Sequence, residues 1–241
     1  MRVVVTVIAS LVVGVLASLP ASGRSAAQEV PSVPPDALVR AQDDLAIGRS
    51  EAGALSASTS VLALLTPQQR LSTPLAIEQL AYPLPFGEDF REIAVEAGVP
   101  PLLLLALVRQ ESAFNPDAVS FANAIGLTQV IPPTGEQIAN TLGVPWQLCD
   151  LLIPDRSLRF GASCIADQIE RFDGNIFAAL SAYNGGPHNA ARWLEAQWWP
   201  GGAGYIATID FSETRRYVER VVEQYGWYRY LYADAPAPAI R

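Results

Sequence analysis

The chain has 241 residues, half of them hydrophobic, and a formal net charge of −8 from 16 basic and 24 acidic residues. This length accommodates one domain with an appendage or two small domains, and the hydrophobic content is ample for a core. The acidic balance disfavours nucleic-acid binding, which depends on lysine and arginine at phosphates. A cysteine zinc site is also excluded, because only His188 is available to join the two cysteines.

The first element is an uninterrupted apolar run from Val3 to Leu19, preceded by Arg2 and followed by small residues up to Ala27. This order is typical of a secretory signal peptide, with cleavage before Gln28. The alternative is an uncleaved anchor, although 17 residues are at the short end for spanning a bilayer. We therefore predict that residues 1–27 are a signal peptide and that the protein is exported.

The next segment, residues 28–81, carries no recognisable chemistry. Residues 36–65 are rich in Ala, Leu, Ser and Asp and favour one or two helices, whereas the prolines within 67–85 indicate an extended linker. We predict a small N-terminal helical appendage here, followed by the main domain over residues 82–232. The Ala-Pro repeat in the tail, residues 233–241, predicts disorder.

The most apolar stretch of the main domain extends from Pro100 to Val108. A helix that is apolar all round belongs in a core, its prolines suit a first turn, and Pro116 prevents its continuation. Glu111 is then expected near the C-terminal end of a buried helix, where desolvation and the helix dipole both raise the pKa of its carboxyl. A carboxyl that keeps its proton near neutral pH suits a general acid. The alternative is a glutamate that reaches the surface where the helix ends.

The remaining predicted elements are helices, because apolar residues recur at helical spacing and no stretch alternates with period two for long enough to form a sheet. The final helix is predicted to begin with Ser212 as its cap and to carry Tyr217 on its apolar side. The fold class is therefore mainly α. The predicted helices span residues 88–97, 100–111, 133–142, 158–172, 176–183, 189–197 and 212–228.

Cys149 and Cys164 are the only cysteines, 15 residues apart. In an exported chain they can form a disulfide, which would stabilise the fold by roughly 3 kcal/mol. We predict this disulfide. The alternative is a pair of buried free thiols.

Four blocks follow one another along the main domain: Glu111-Ser112, Gly-Leu-Thr-Gln-Val-Ile-Pro at 126–132, Ala-Tyr-Asn-Gly-Gly-Pro at 182–187, and 209–218 with its Glu-Thr-Arg core. In this order and at this spacing they resemble the soluble lytic transglycosylase family, whose lysozyme-like catalytic domain cuts bacterial peptidoglycan. The resemblance extends from about Tyr82 to Tyr232 and implies the helical fold shared by goose-type lysozyme and the SLT domain.

Most glycosidases use two carboxylates, but this sequence offers no obvious second one, because Asp117 follows a proline in a polar loop. The resemblance implies that one acid suffices. Glu111 would protonate the oxygen between N-acetylmuramic acid and N-acetylglucosamine, while the muramic acetamido carbonyl stabilises C1. Glu111 would then act as a base towards the C6 hydroxyl and give a 1,6-anhydro product. Neither a metal nor an organic cofactor is implied.

The resemblance also implies a set of substrate-binding residues. Ser120 would contact the muramic acetamido or oxocarbenium region, Gln129 would line the cleft, and the Tyr183 hydroxyl would approach the catalytic carboxyl. Asn184, beside two glycines, lies in a bend where the backbone can approach a sugar closely. Glu213 is either a second charged group in the cleft or an acid that favours the helix dipole.

The sequence departs from the family at two positions, since Thr128 and Ile131 stand where methionines are usual. These departures concern the packing of the subsites rather than the mechanism. Two other functions stay open: a lysozyme- or chitinase-like hydrolase on the same scaffold, and a noncatalytic wall-binding protein. The expected partners are peptidoglycan glycan strands, with wall-synthesis or secretion machinery as recruiting partners. The protein is expected to be periplasmic and monomeric.

Overall fold

The computed structural model describes residues 79, 82–85 and 87–233. All of them belong to one compact unit, Glu78–Arg241. The signal peptide predicted over 1–27, almost all of the predicted appendage over 28–81 and the tail beyond residue 233 lie outside the described residues. Those three assignments therefore stay predictions.

The described residues form eight α-helices and one short 3₁₀-helix, and among them only isolated β-bridges occur. The prediction of a mainly α fold is thus confirmed. None of the helices within this part of the chain is both long and apolar enough to cross a bilayer. The helices are α1 (Gly87–Glu96), α2 (Pro101–Ser112), α3 (Pro132–Leu142), the 3₁₀-helix (Leu148–Leu152), α4 (Pro154–Arg171), α5 (Ile176–Gly185), α6 (Pro187–Glu195), α7 (Gly202–Thr208) and α8 (Ser212–Tyr232).

Helix α2 is the centre of the domain and packs against α1 and α8. Six consecutive residues, Leu103 to Val108, are buried, as expected for a helix without a polar face. Complete burial of a leucine or valine side chain stabilises a fold by about 1.5–3 kcal/mol. This packing fixes the end of α2, and hence Glu111, relative to α8.

Helix α5 is a second buried helix and packs against α4, α6 and α8. Its first turn is stabilised by Asn175, whose side-chain oxygen accepts hydrogen bonds from the backbone N–H groups of Phe177 and Ala178 at 3.1 and 3.2 Å. Residues 178–182 are buried. The helix therefore presents Tyr183 and Asn184, at its C-terminal end, on the same side of the domain as the start of α8.

The segment between α2 and α3 folds back over the end of α2. Ala113 ends that helix in the left-handed region with φ of 50°. Ser112 then donates a hydrogen bond from Oγ to the carbonyl oxygen of Leu127 at 2.9 Å. Gly126 has φ of 78°, and a Cβ there would lie only 1.8 Å from the carbonyl oxygen of Leu151. These constraints place the loop that carries Ser120 and Gln129 beside Glu111.

Two local predictions need correction. Ser212 is the first residue of α8 rather than its cap, because the chain turns into the helix at Phe211 and no side chain caps it. Helix α7 was not predicted, because its glycine-rich sequence gives little helical signal.

Candidate active site

A cleft of about 840 Å³ opens at the C-terminal end of α2. It is bounded by that helix end, the following loop, α3, α4, the end of α5 and the start of α8. All six residues that the sequence predicted for catalysis or substrate binding line this cleft. They are Glu111, Ser120, Gln129, Tyr183, Asn184 and Glu213.

Glu111 is the next-to-last residue of α2, and its side chain is only partly exposed. The hydroxyl of Tyr217, on α8, donates a hydrogen bond to Glu111 Oε1 at 2.6 Å. Burial raises the pKa of Glu111 from its ordinary 4.5 to about 7, and the Tyr217 hydrogen bond opposes part of this rise. The carboxyl is thus poised to lose or gain a proton near neutral pH, as general acid–base chemistry requires.

The Tyr183 hydroxyl, predicted to approach Glu111, has another acceptor for its hydrogen bond. Tyr183 lines the cleft, but its hydroxyl donates to the backbone carbonyl oxygen of Thr128 at 2.7 Å. The physical reason is the direction of α5, which aims the Tyr183 ring at the loop after α2. The tyrosine that contacts the acid comes from α8 instead. Tyr183 therefore ties this loop to α5.

The loop residues Ser120 and Gln129 have structural partners as well as cleft positions. Ser120 Oγ accepts a hydrogen bond from the backbone N–H of Ala124 at 3.0 Å. Gln129 has φ of 50°, and its Nε2 donates to the carbonyl oxygens of Ala118 and Gly126 at 3.1 and 2.9 Å. Both side chains thus hold the shape of the loop.

At the opposite wall, Asn184 and Glu213 lie close together. Thr214 donates from Oγ1 to Asn184 Oδ1 at 2.7 Å, which links the end of α5 to the first turn of α8. Glu213 is exposed in the cleft and also belongs to the first turn of α8. Glu213 is therefore both a charged residue of the cleft and a first-turn acid that favours the dipole of α8, which are the two alternatives raised for it.

The two departures from the family pattern occupy different environments. Thr128 is fully buried and donates from Oγ1 to the Ser157 carbonyl oxygen at 2.8 Å. A Cβ on Gly161 would lie only 2.3 Å from the Thr128 side chain, so these two residues pack in direct contact. Ile131 lines the cleft and is partly exposed. The first departure therefore affects the core, and only the second affects the cleft.

The structure does not show the predicted disulfide, since Cys149 and Cys164 are both free thiols. Cys149 is exposed on the 3₁₀-helix, where its Sγ lies 3.6 Å from Gln147 Oε1. Cys164 is half-buried on α4 and lines the cleft. Their separation in sequence is compatible with a loop closure, but the packing of α4 turns Cys164 towards the cleft.

Sequence reasoning missed several residues of the site. Tyr217 was placed only on the apolar side of α8, although it follows Glu213 by four residues and so lies on the same helical face. This spacing within the fourth block was the signal that could have identified it. The polar residues of α4 gave no such signal, because helical periodicity identifies the apolar face of a helix and does not distinguish among its polar positions. They are Asp167, Gln168 and Arg171, all of which line the cleft.

Fold and site together define a lysozyme-like helical domain with a polar cleft and one partly buried glutamate at the end of its central helix. Residues 88–205 match the sequence profile described as "Transglycosylase SLT domain". This part of the chain, just under half of the sequence, is similar to that family.

Relatives and solved structures agree with this assignment. The chain is 30% identical over 158 residues to the soluble lytic murein transglycosylase of Escherichia coli K12, covering 64% of this chain and 24% of that protein. It is 38% identical over 138 residues to membrane-bound lytic murein transglycosylase C of Actinobacillus pleuropneumoniae, covering 55% and 35%. The chain thus spans about a quarter to a third of these relatives.

Among solved structures, an inactive glutamate-to-glutamine mutant of the lytic transglycosylase Slt from Pseudomonas aeruginosa aligns with a TM-score of 0.69. The sequences are 26% identical, and the alignment covers 86% of this chain and 32% of that one. The 70-kDa soluble lytic transglycosylase of Escherichia coli aligns with a TM-score of 0.67 at 25% identity, over 84% and 31%.

Proposed function

We propose that this protein is a peptidoglycan lytic transglycosylase in which Glu111 acts alone as acid and then as base. The observation that carries this proposal is the position of Glu111. It lies partly buried in a polar cleft, its pKa is raised to about 7, and a tyrosine hydroxyl donates to its carboxyl. The names of the relatives, lytic murein transglycosylases, support the same substrate class.

In the proposed mechanism, protonated Glu111 donates its proton to the glycosidic oxygen between N-acetylmuramic acid and N-acetylglucosamine. The C1–O bond breaks, and the muramic acetamido carbonyl stabilises the positive charge that develops at C1. The resulting Glu111 carboxylate keeps the hydrogen bond from Tyr217. It then accepts the proton of the C6 hydroxyl, whose oxygen bonds to C1 and gives the 1,6-anhydro end without water.

The other cleft residues would orient the substrate. Ser120 and Gln129 present polar side chains from the loop that follows α2, and Asn184 and Glu213 present theirs from the far wall. Tyr183 is proposed to support the loop rather than to contact the acid, because its hydroxyl is committed to Thr128. Positioning of this kind contributes to the rate by holding C6 near C1.

Mass spectrometry of the muropeptides released from purified sacculi tests this reaction. We expect products with 1,6-anhydromuramic acid ends, since the internal C6 hydroxyl replaces water. Asp167 and Glu213 also line the cleft, so a second carboxylate is within the same site and a hydrolase is the alternative. Reducing ends would establish hydrolysis. If no fragment is released, the conclusion is that the protein binds the wall without cleaving it.

Export of the chain belongs to the same proposal, because peptidoglycan lies outside the cytoplasm. The support is the apolar run from Val3 to Leu19 followed by small residues. We expect N-terminal sequencing of the protein isolated from its own host to begin at Gln28. A protein that begins at Met1 and stays with the membrane fraction would establish an uncleaved anchor instead.

A further inference from the structure

One wall of the cleft is a polar stripe on α4, defined here as Asp167, Gln168 and Arg171. All three line the cleft, and their spacing places them on one face of the helix. The stripe begins one turn after Cys164. Burial, followed by the charges of Asp167 and Glu111, raises the pKa of the Cys164 thiol to about 12, so this thiol lies within electrostatic range of both carboxyls. From Cys164 to Arg171 the helix axis rises by about 10 Å, so the stripe extends the cleft wall along α4 from this thiol.

Gln168 is the unusual member of this stripe. Its side chain is only 8% exposed, and its Nε2 donates to Asp167 Oδ2 at 2.7 Å. Its Oε1 is the one buried side-chain polar atom in the described part of the chain that has no hydrogen-bond partner. An acceptor that is removed from water and left unpaired lowers stability, so an unpaired oxygen on a residue that lines a cleft is a candidate partner for a ligand.

The surroundings of Gln168 limit what that partner is. The carboxylate of Asp167 requires the NH₂ group on its side, so the oxygen is the atom that stays available. Arg171 lies beside the pair, with Nη2 at 3.6 Å from Asp167 Oδ2, and it retains further N–H donors. An acceptor next to a donor matches a secondary amide, which offers one N–H and one carbonyl oxygen. The terminal torsion of glutamine rotates broadly, so on binding the amide can exchange the Nε2 bond to Asp167 for a bond from a ligand to Oε1, because Asp167 keeps Arg171 as a partner.

We propose that Gln168 is a specificity-determining residue that accepts a hydrogen bond from the N–H of a secondary amide on the bound glycan, while Arg171 donates to the carbonyl oxygen of that amide. This inference rests on the proposed function. Peptidoglycan carries secondary amides both in the N-acetyl groups of its sugars and in its peptide stems. The amide chemistry is common to both, and the experiment separates them.

The test measures binding of purified glycan strands to the Glu111→Gln protein, so that turnover does not interfere. Strands with peptide stems and strands from which the stems have been removed are titrated separately. We expect Gln168→Leu to weaken binding about three- to tenfold, the effect of one lost hydrogen bond to a neutral group. The melting temperature should stay equal or rise, because leucine leaves no unpaired acceptor. Glu170→Ala is the control, since Glu170 is exposed on α4 outside the cleft.

The kind of strand whose binding is weakened shows which amide Gln168 contacts. Weaker binding of both kinds of strand indicates an N-acetyl group, and weaker binding of only the stem-bearing strands indicates a peptide amide. Arg171→Ala should weaken binding of the same strands. Because Arg171 is exposed, this variant still tests the inference if Gln168→Leu does not fold. Unchanged binding of both kinds of strand in both variants would overturn the inference while the proposed function stands. If the Glu111→Gln protein binds no strands at all, the proposed function and this inference both fall.

Discussion

Glu111→Gln is expected to abolish release of muropeptides while the fold is retained. Glutamine keeps the size of the side chain, and its oxygen can still accept the hydrogen bond from the Tyr217 hydroxyl. It has no proton to donate to the glycosidic oxygen and cannot accept one from the C6 hydroxyl. Because one residue performs both transfers in the proposed mechanism, loss of activity should be complete rather than partial.

The measurement is the rate of release of soluble fragments from sacculi, with circular dichroism to establish that the variant is folded. Asp117→Asn is the matched control, because Asp117 is a nearby exposed carboxyl that does not line the cleft. This control should retain the wild-type rate. Release by Glu111→Gln at a rate near that of the wild type would remove Glu111 from the mechanism.

The same substitution has an expected effect on stability with a defined pH dependence. The pKa of Glu111 is about 7 in the folded protein and near its ordinary 4.5 when unfolded. Below pH 4.5 the carboxyl is protonated in both states and its contribution is constant. As pH rises from about 4.5 to 7, the unfolded chain ionises while folded Glu111 keeps its proton, so the wild type loses up to about 3 kcal/mol of stability, and above pH 7 this loss is complete. Glu111→Gln should therefore melt higher than the wild type at pH 8 and at the same temperature at pH 4.

The position of Glu111 could be predicted from sequence because local and global signals agree there. The apolar run of α2 fixes its burial, the prolines fix its ends, and the acid follows at the last turn. The position of the loop that carries Ser120 and Gln129 near the acid is implied by the resemblance to the family. The structure brings these residues into one cleft.

The partner of the acid could not be predicted in the same way, because it depends on the relative rotation of helices that are distant in sequence. Tyr183 and Tyr217 are both partly or fully buried tyrosines whose hydroxyls require acceptors. Only the packing of α8 against α2 and of α5 against α8 decides which hydroxyl meets Glu111. The cysteine pair shows the same limit, since sequence separation permitted a bridge that the direction of α4 does not provide. The unpaired oxygen of Gln168 is a property of packing alone.

The last prediction concerns Tyr217, whose hydroxyl donates to the acid at 2.6 Å. Tyr217→Phe should lower turnover about tenfold to a hundredfold, the loss expected for one hydrogen bond to a charged group. The bond stabilises the carboxylate that forms after the first proton transfer and holds it towards the C6 hydroxyl. Binding of glycan strands should hardly change, because the hydroxyl is directed at Glu111.

The pH profile distinguishes this role from a structural one. Activity requires protonated Glu111 at the start, so the wild-type rate should fall as pH rises through about 7. The Tyr217 hydrogen bond lowers the pKa of Glu111, so its removal should raise that pKa and move the falling limb to higher pH. Tyr228→Phe, on the same helix with its hydroxyl donating to Pro83, is the control and should leave the limb in place. Tyr183→Phe should also leave it in place, because that hydroxyl donates to Thr128. If the falling limb of the pH profile moves in Tyr183→Phe and stays in place in Tyr217→Phe, the tyrosine that contacts the acid is Tyr183.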